Sequence, residues 1–181
     1  MEFAHMSSFE SLRSLLGDPD WWVRSNSDVW IASEEYLGLR LPSDYKQFMD
    51  FYGPGLLDEY LLLDLPEGPS SEEVVEFWSL ASWVRARESR PDAYPYAFAP
   101  DRNGLIEWGS DQHSNSYFFL PSAPDASDWK IVITSEAGEW FKTDGTFTEY
   151  LVRCFQHSSE RPSFVDRSWP RPGARFRPFN M

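Results

Sequence analysis

Residues 41–55 read LPSDYKQFMDFYGPG, and this stretch decides much of the fold. Pro42 suits the entry of a helix, and Ser43 is predicted to cap it. Gly53 and Pro54 predict the helix end, since glycine accepts the left-handed backbone there and proline cannot continue the helix. The apolar positions fall at i, i+3, i+4 and i+7, which is one stripe on a helix buried against a core. They are Tyr45, Phe48, Met49 and Tyr52.

Four further helices are predicted around this one. Ser7 and Glu10 form a capping-box pattern for a helix that ends at Gly17, and a second helix spans about residues 28–37. Thr146 is predicted to cap a last helix over residues 147–155. Ser70 and Glu73 form another capping box, for a helix over residues 70–88. Its predicted buried face consists of Val74, Phe77, Trp78, Ala81 and Val84.

Short apolar runs separated by Gly, Asp, Asn and Ser predict strands in the rest of the chain. The connections are short enough for an antiparallel meander, so we predict an α+β fold with helices packed on a mainly antiparallel, meander-like sheet. The predicted strands are residues 60–65, 96–99, 105–108, 117–120, 130–134 and 139–142.

A single domain is expected over residues 7–157. Residues 158–181 form a tail rich in Pro, Arg and aromatic residues, without helical or alternating periodicity. It is interpreted either as an arm docked on the domain or as disordered. The opening MEFAH, residues 1–5, is interpreted as a cloning remnant, with the natural start at Met6.

The net charge of −13 argues against nucleic acid or an anionic membrane as partner and favours a basic protein. Charge is polarised along the chain: residues 47–84 carry eight acids and no lysine or arginine, whereas residues 157–181 carry five arginines and two acids. The single cysteine, Cys154, excludes an internal disulfide and suits a reducing compartment, so a cytoplasmic location is expected. We find no run of membrane-spanning length and no signal sequence.

Catalytic and metal-site patterns are weak. GxSxG, GxGxxG, GxxxxGK[ST] and HExxH are absent. Asp111 and His113 would need further ligands to hold a metal, so a polar loop is favoured there. Cys154 and His157 are three residues apart on one helix, and a buried thiol at a helix end is favoured over a reactive pair. The adjacent acids Glu34-Glu35 and Asp58-Glu59 are interpreted as solvated faces. We therefore expect no catalytic residues, no cofactor and no metal.

Four segments, taken in order, resemble the SMI1/KNR4 family of the SUKH superfamily of bacterial immunity proteins. The resemblance covers about residues 30–155, and the chain departs from the family pattern at Asn115-Ser116, where Gly-Asp is frequent. The segments are EEYLGLRLPSDYKQFMDFYGPG, YLLLDL, FAPDRNGLIEWGSDQHSNSYFFL and DWKIVITSEAGEWFKTDGTFTEYL.

The resemblance implies an α+β domain that is not an enzyme and that binds and neutralises a toxin domain, often a nuclease. A regulatory adaptor of the same fold that binds a housekeeping protein is the alternative, and a small hydrolase is a third hypothesis. The oligomeric state stays open. For Trp108 a core position is the alternative to a surface position. The candidate partner-binding residues are Asp58, Glu59, Asp64, Asp101, Trp108, Asp111 and Glu136.

Overall fold

A computed structural model describes residues 7–21, 27–65 and 80–179 of the chain. Within these residues seven strands form one sheet in the order β6-β5-β4-β3-β2-β1-β7, and all neighbouring strands are antiparallel. The predicted α+β fold with a meander-like sheet is thereby confirmed. The strands are β1 (Gly55–Leu57), β2 (Leu61–Leu63), β3 (Ile106–Asp111), β4 (Ser116–Leu120), β5 (Lys130–Thr134), β6 (Trp140–Thr143) and β7 (Phe176–Pro178).

The described residues contain five α-helices, and four of them lie close to their predicted bounds. The fourth helix is described only from Leu80, so the predicted start at Ser70 and the apolar positions up to Trp78 lie outside the described residues. The predicted cloning remnant also lies outside the described residues. The helices are α1 (Ser8–Leu16), α2 (Ser27–Leu37), α3 (Ser43–Tyr52), α4 (Leu80–Ser89) and α5 (Phe147–Phe155).

Helix α3 buries its predicted stripe, since Tyr45, Phe48, Met49 and Tyr52 are all at most 1% exposed. Its start differs from the prediction: the N-cap is Pro42, with no side-chain capping bond, so the cap at Ser43 is wrong. The carboxylate of Asp44, in the first turn of α3, instead accepts hydrogen bonds from another helix. Asp44 Oδ2 accepts hydrogen bonds from the backbone N–H (2.8 Å) and the hydroxyl (3.0 Å) of Thr148, in the first turn of α5. A carboxylate at that position also opposes the positive end of the α5 dipole.

The sheet is covered on both faces, which explains why its central strands read as nearly continuous apolar runs. Alternate residues of each strand point to opposite faces. Tyr117 and Phe119 of β4 face the larger core, formed with α1, α3 and α5, whereas Phe118 faces a smaller cluster with Trp83 of α4. Within that smaller cluster Trp83 stacks on Phe98 at 5.3 Å between ring centroids.

Strand β1 starts inside the stretch that was predicted to be only a glycine-rich helix end. Gly55 pairs with Leu63 on one side and with Pro178 of β7 on the other. A Cβ atom at Gly55 would collide with the Arg177 carbonyl oxygen and lie 2.8 Å from Phe176. Glycine is therefore required here because the C-terminal segment passes directly over it.

The C-terminal segment is docked on the domain, which is the first of its two interpretations. We call its described part, residues 158–179, the arm. Its strand β7 pairs with β1, and Val165, Trp169 and Phe176 are buried in the main core. Arg161 is also buried, and its guanidinium donates hydrogen bonds to the carbonyl oxygens of Trp169 and Arg167. The arm thus completes one edge of the sheet and part of the core.

Two local predictions differ from the structure. The predicted strand at residues 96–99 is reduced to an isolated bridge between Phe98 and Leu105, because the segment folds over the sheet face. Glu34 was interpreted as part of a solvated face but is 7% exposed. Its carboxylate accepts hydrogen bonds from Lys46 (2.6 Å) and Arg40 (2.6 Å), which offset the cost of burying its charge.

Candidate functional site

Three hairpin turns lie side by side at one end of the sheet. In an antiparallel meander successive connections alternate between the two ends, so the β1–β2, β3–β4 and β5–β6 turns share one end. They comprise residues 58–60, 112–115 and 135–139. We call this end of the sheet the turn end. Gln112 ties the first two turns together: its backbone N–H donates to Tyr60 O at 3.1 Å and its side-chain amide donates to Glu59 O.

The β1–β2 turn carries Asp58 and Glu59 with a left-handed backbone, at φ 52° and 53°. Tyr60 N–H donates to Leu57 O at 3.1 Å, so the four residues form a mirror-image turn of the type that matches sheet twist. Such turns favour Asn-Gly, and a side chain in this conformation costs local strain. The sequence nevertheless places two carboxylates there.

Both carboxylates are engaged by arginines of the arm. Asp58, 8% exposed, accepts hydrogen bonds from the backbone N–H of Arg171 (2.9 Å) and from its guanidinium (Nη2 to Oδ1, 3.0 Å). Glu59 accepts two parallel bonds from Arg177, each 2.7 Å, and these bonds lower the pKa of Glu59 below its ordinary value. The interpretation of Asp58-Glu59 as a solvated face is therefore wrong for Asp58, which the arm covers.

Asp111, at the end of β3, is a buried hydrogen-bond acceptor beneath the second turn. Its carboxylate accepts five hydrogen bonds, from the backbone N–H groups of His113 and Asn115, the Asn115 amide, and the hydroxyls of Tyr60 and Tyr117. Burial raises the pKa of the Tyr60 phenol well above its ordinary value, so Tyr60 stays a donor to Asp111. This network organises the turn and leaves the carboxylate covered, so Asp111 does not present a charge at the surface.

The network also fixes the arm. The Tyr60 hydroxyl accepts a hydrogen bond from the Asp166 N–H at 3.3 Å, and its ring stacks on Trp169 at 5.0 Å. The Asn115 amide donates to the Phe164 carbonyl at 3.5 Å. The turns and residues 164–169 of the arm therefore form one connected structure.

The β5–β6 turn presents the acids that no ion pair covers. Glu136 is exposed, as is Glu139, whose backbone N–H donates to the Ser135 hydroxyl at 3.0 Å. In the described part of the chain neither carboxylate has a salt-bridge partner. Gly138 N–H donates to Ser135 O at 2.9 Å, so the turn has a defined shape. This turn offers negative charge on a fixed backbone.

The remaining candidates lie elsewhere. Asp64 follows β2 and Asp101 precedes β3, so both are at the opposite end of the sheet and do not join the turn end. Trp108 lies within β3, beside a register shift, and is 1% exposed. Its ring packs on Phe147 at 5.1 Å between centroids. The prediction that Trp108 lies at the surface is thus wrong, and the alternative prediction, a position in the core, is confirmed.

Sequence reasoning missed several residues of the turn end. Gln112 and Glu139 are polar residues in or beside predicted loops and carried no signal beyond that position. The only signal for the ion pairs of Arg171 and Arg177 was the opposite charge of the tail and of the acidic residues 47–84. Their individual pairings depend on how the chain returns to β1, which local patterns do not encode.

Cys154 is fully buried in α5, and burial raises the pKa of its thiol to about 12. The group is therefore a thiol, and not a nucleophilic thiolate, at neutral pH. His157, at φ 50°, ends the helix with its backbone N–H donating to Cys154 O at 3.0 Å. Cys154 and His157 are thus joined by the backbone hydrogen bond that ends helix α5.

Residues 7–21, 27–65 and 80–179 contain no group of three or more His, Cys, Asp and Glu side chains placed to hold a metal ion. Within the same residues no helix has the length and apolar character needed to cross a membrane.

A family model described as SUKH_6, SMI1-KNR4 cell-wall, matches residues 28–151, which is well over half of the chain. The matched region starts in α2 and ends in α5, and so contains the three hairpin turns but not the arm. Comparison with curated proteins and with solved structures found no match.

Proposed function

Because the chain belongs to the SMI1/KNR4 family of the SUKH superfamily, we propose that it is an immunity protein that binds and blocks a bacterial toxin domain of the nuclease type. The family match is the observation that carries the proposal. The proposed role is that of a protein-binding module in the cytoplasm, without catalysis of its own.

The turn end is the proposed contact surface. Its three turns are held by strand register and by the Asp111 network, so little conformational entropy is lost when they bind. Glu136 and Glu139 supply exposed negative charge on one side of this row. A rigid row of turns with charge at one side can both orient a partner and contact it closely.

Charge complementarity supports a nuclease as the target. A nuclease must attract phosphate, so its active-site region tends to be basic. A chain with a net charge of −13 attracts such a domain over long range, and a bound acidic surface competes with its substrate. We expect the exposed glutamates mainly to raise the association rate.

Co-expression tests the proposed function. A toxin domain encoded by the reading frame beside this gene is expressed from an inducible promoter, with or without this chain. We expect growth to be restored by the wild-type chain and by a control variant with Cys154→Ala, because the Cys154 side chain is fully buried and cannot contact a partner. A lack of rescue, together with a lack of binding to the purified toxin domain, would count against an immunity function.

A regulatory adaptor is the second candidate, and the words "cell-wall" in the description of the matching family are the observation that favours it. An adaptor would bind a housekeeping protein in unstressed cells. Affinity purification from cells that lack any neighbouring toxin gene distinguishes the two, since only an adaptor would recover the same partner there.

A further inference from the structure

The acids of the β1–β2 turn and the edge of β1 form a site that is filled by the end of the arm. We propose that this is a docking site for an extended, arginine-bearing segment of the partner protein, and that residues 171–179 of the arm occupy it until the partner displaces them. The inference rests on the proposed function for the identity of the partner. The site itself is defined by Asp58, Glu59 and the edge of β1.

The site recognises arginine through geometry that is specific for guanidinium. Glu59 accepts two parallel hydrogen bonds of 2.7 Å from Arg177. The Asp58 carboxylate accepts from the backbone N–H and the guanidinium of Arg171, and the Asp58 carbonyl oxygen also accepts from that guanidinium. Paired, planar contacts of this kind discriminate arginine from lysine. A basic partner segment with two suitably spaced arginines would meet the same acceptors.

The main chain of the site suits an added strand. The Asp58 N–H donates to Arg175 O at 2.8 Å and the Phe179 N–H donates to Pro54 O at 3.0 Å, on either side of the three-residue pairing of β1 with β7. Because Gly55 has no side chain, an incoming backbone can approach β1 closely. Adding a strand to an exposed sheet edge is a common mode of peptide recognition.

The end of the arm is held more weakly than the part before it. Residues 161–169 are fastened by buried Arg161 and by Trp169, which is 2% exposed. Beyond Pro170 only Ala174 and Phe176 are buried. The other holding contacts are the three-residue pairing of β7, the backbone hydrogen bonds of Asp58, Arg171 and Phe179, and two arginine side chains that are 64% and 57% exposed. The pair of Arg177 with Glu59 is exposed on both sides and contributes little because water and salt screen it. The end of the arm can therefore open while the rest stays in place.

The turn keeps its carboxylates despite the strain of two consecutive left-handed residues that favour Asn-Gly. A turn selected only to join β1 and β2 would not need Asp58 and Glu59. The hydrogen bonds of both carboxylates all come from Arg171 and Arg177, which supports recognition of arginine as their role.

A peptide added in trans tests the site without any toxin. A fluorescent peptide of residues 170–179, PRPGARFRPF, is titrated into the full chain carrying Phe176→Ala, which removes the ring that anchors the arm. We expect saturable binding, at least tenfold tighter than to the wild-type chain, whose own arm fills the site. Adding Asp58→Asn and Glu59→Gln should weaken binding at least tenfold. A scrambled peptide of equal charge controls for attraction to an acidic protein.

Three results would overturn the inference: no binding to a folded Phe176→Ala chain, equal binding to the wild-type chain, or equal binding after the two acid substitutions. Dimerisation of the wild-type chain through exchange of its arms would also overturn it, since the site would then serve a second copy. Because no toxin is used, failure of the peptide leaves the immunity function standing, and failure of toxin rescue leaves the peptide result standing.

Hydrogen exchange on the wild-type chain tests the opening even if the Phe176→Ala chain does not fold. The amide protons of Asp58 and Phe179 should exchange at least a hundredfold faster than those in the β4–β5 ladder, because the end of the arm opens locally. Equal protection of the two groups would mean that the arm opens only on global unfolding, which contradicts the inference.

Discussion

Asp58 and Arg171 lie 113 residues apart in the chain and are joined by hydrogen bonds from both the backbone N–H and the guanidinium of Arg171. Arg171 Nη2 also donates to the Asp58 carbonyl at 3.1 Å. The Asp58 carboxylate thus fixes both the main chain and the side chain of Arg171, at the start of residues 171–179 of the arm. The acidic turn and the basic tail, which stand out as opposite charges in the sequence, are partners in the fold.

Replacing Asp58 with Asn should destabilise the protein by roughly 1–2 kcal/mol, since a hydrogen-bonded, 8% exposed carboxylate loses its charge while its shape is kept. Urea denaturation measures the change in unfolding free energy. Glu59→Gln is the matched control: its pair with Arg177 is more than half exposed on both sides and should contribute less. Equal losses in the two variants would contradict this ranking.

Glu34 should make stability depend on acid pH. Burial alone would raise the pKa of Glu34, but hydrogen bonds from Lys46, Arg40 and the Leu41 N–H bring it below its ordinary value of 4.5. With the folded pKa below the unfolded one, the stabilisation is present above pH 4.5 and is lost as the pH falls through the folded value.

Replacing Glu34 with Gln should therefore cost roughly 2 kcal/mol at neutral pH, below the value for a fully buried pair because Arg40 is largely exposed. The difference from wild type should shrink as the pH falls below about 4.5. Glu35→Gln, at the exposed neighbouring position, is the control and should change little. A constant difference across the acid range would show that Glu34 acts through packing and not through its charge.

Cys154 should not react in the folded protein. Its thiol is buried and its pKa is raised to about 12, so a thiol reagent at mildly alkaline pH should label it only as fast as the chain unfolds. The labelling rate should rise with urea, and His157→Ala should not change it in native buffer. Rapid labelling without denaturant would instead support the hydrolase hypothesis.

Trp108 should act on stability and not on partner contact. Trp108→Ala should cost roughly 3–5 kcal/mol, as expected for removing a buried indole. Trp108→Phe should cost less, since the indole Nε1 has no hydrogen-bond partner in the described part of the chain. Thermal unfolding measures both variants. If the Trp108→Phe variant folds normally but no longer binds the partner, then Trp108 contributes to binding and not only to the stability of the core.

Local patterns were sufficient where a segment carries its own signal. The stripe of α3 follows from helical spacing, and strand β5 and helix α5 have their predicted bounds because an apolar run and a capping Thr146 mark them. The capping box of Thr146 with Glu149 is present in the structure. These features depend on neighbours within a few residues.

Features that depend on distant chain were not predictable in the same way. Strand β7 has three residues and no alternating pattern, and it exists because β1 offers an edge. Glu34 is buried because Lys46 and Arg40 reach it from α3 and from the loop before it. The split of the candidate acids between two ends of the sheet was accessible, however: in a meander, alternate connections share an end, which separates Asp64 from Asp58.

The most direct test of the immunity function is calorimetric titration of the chain with the toxin domain encoded beside it. The wild-type chain should bind tightly, and the double substitution Glu136→Lys with Glu139→Lys should weaken binding at least tenfold. Asp101→Lys with Asp128→Lys changes the net charge equally at the opposite end of the sheet and should leave the affinity nearly unchanged. Absence of binding, or a loss only in the Asp101 and Asp128 variant, would contradict the account.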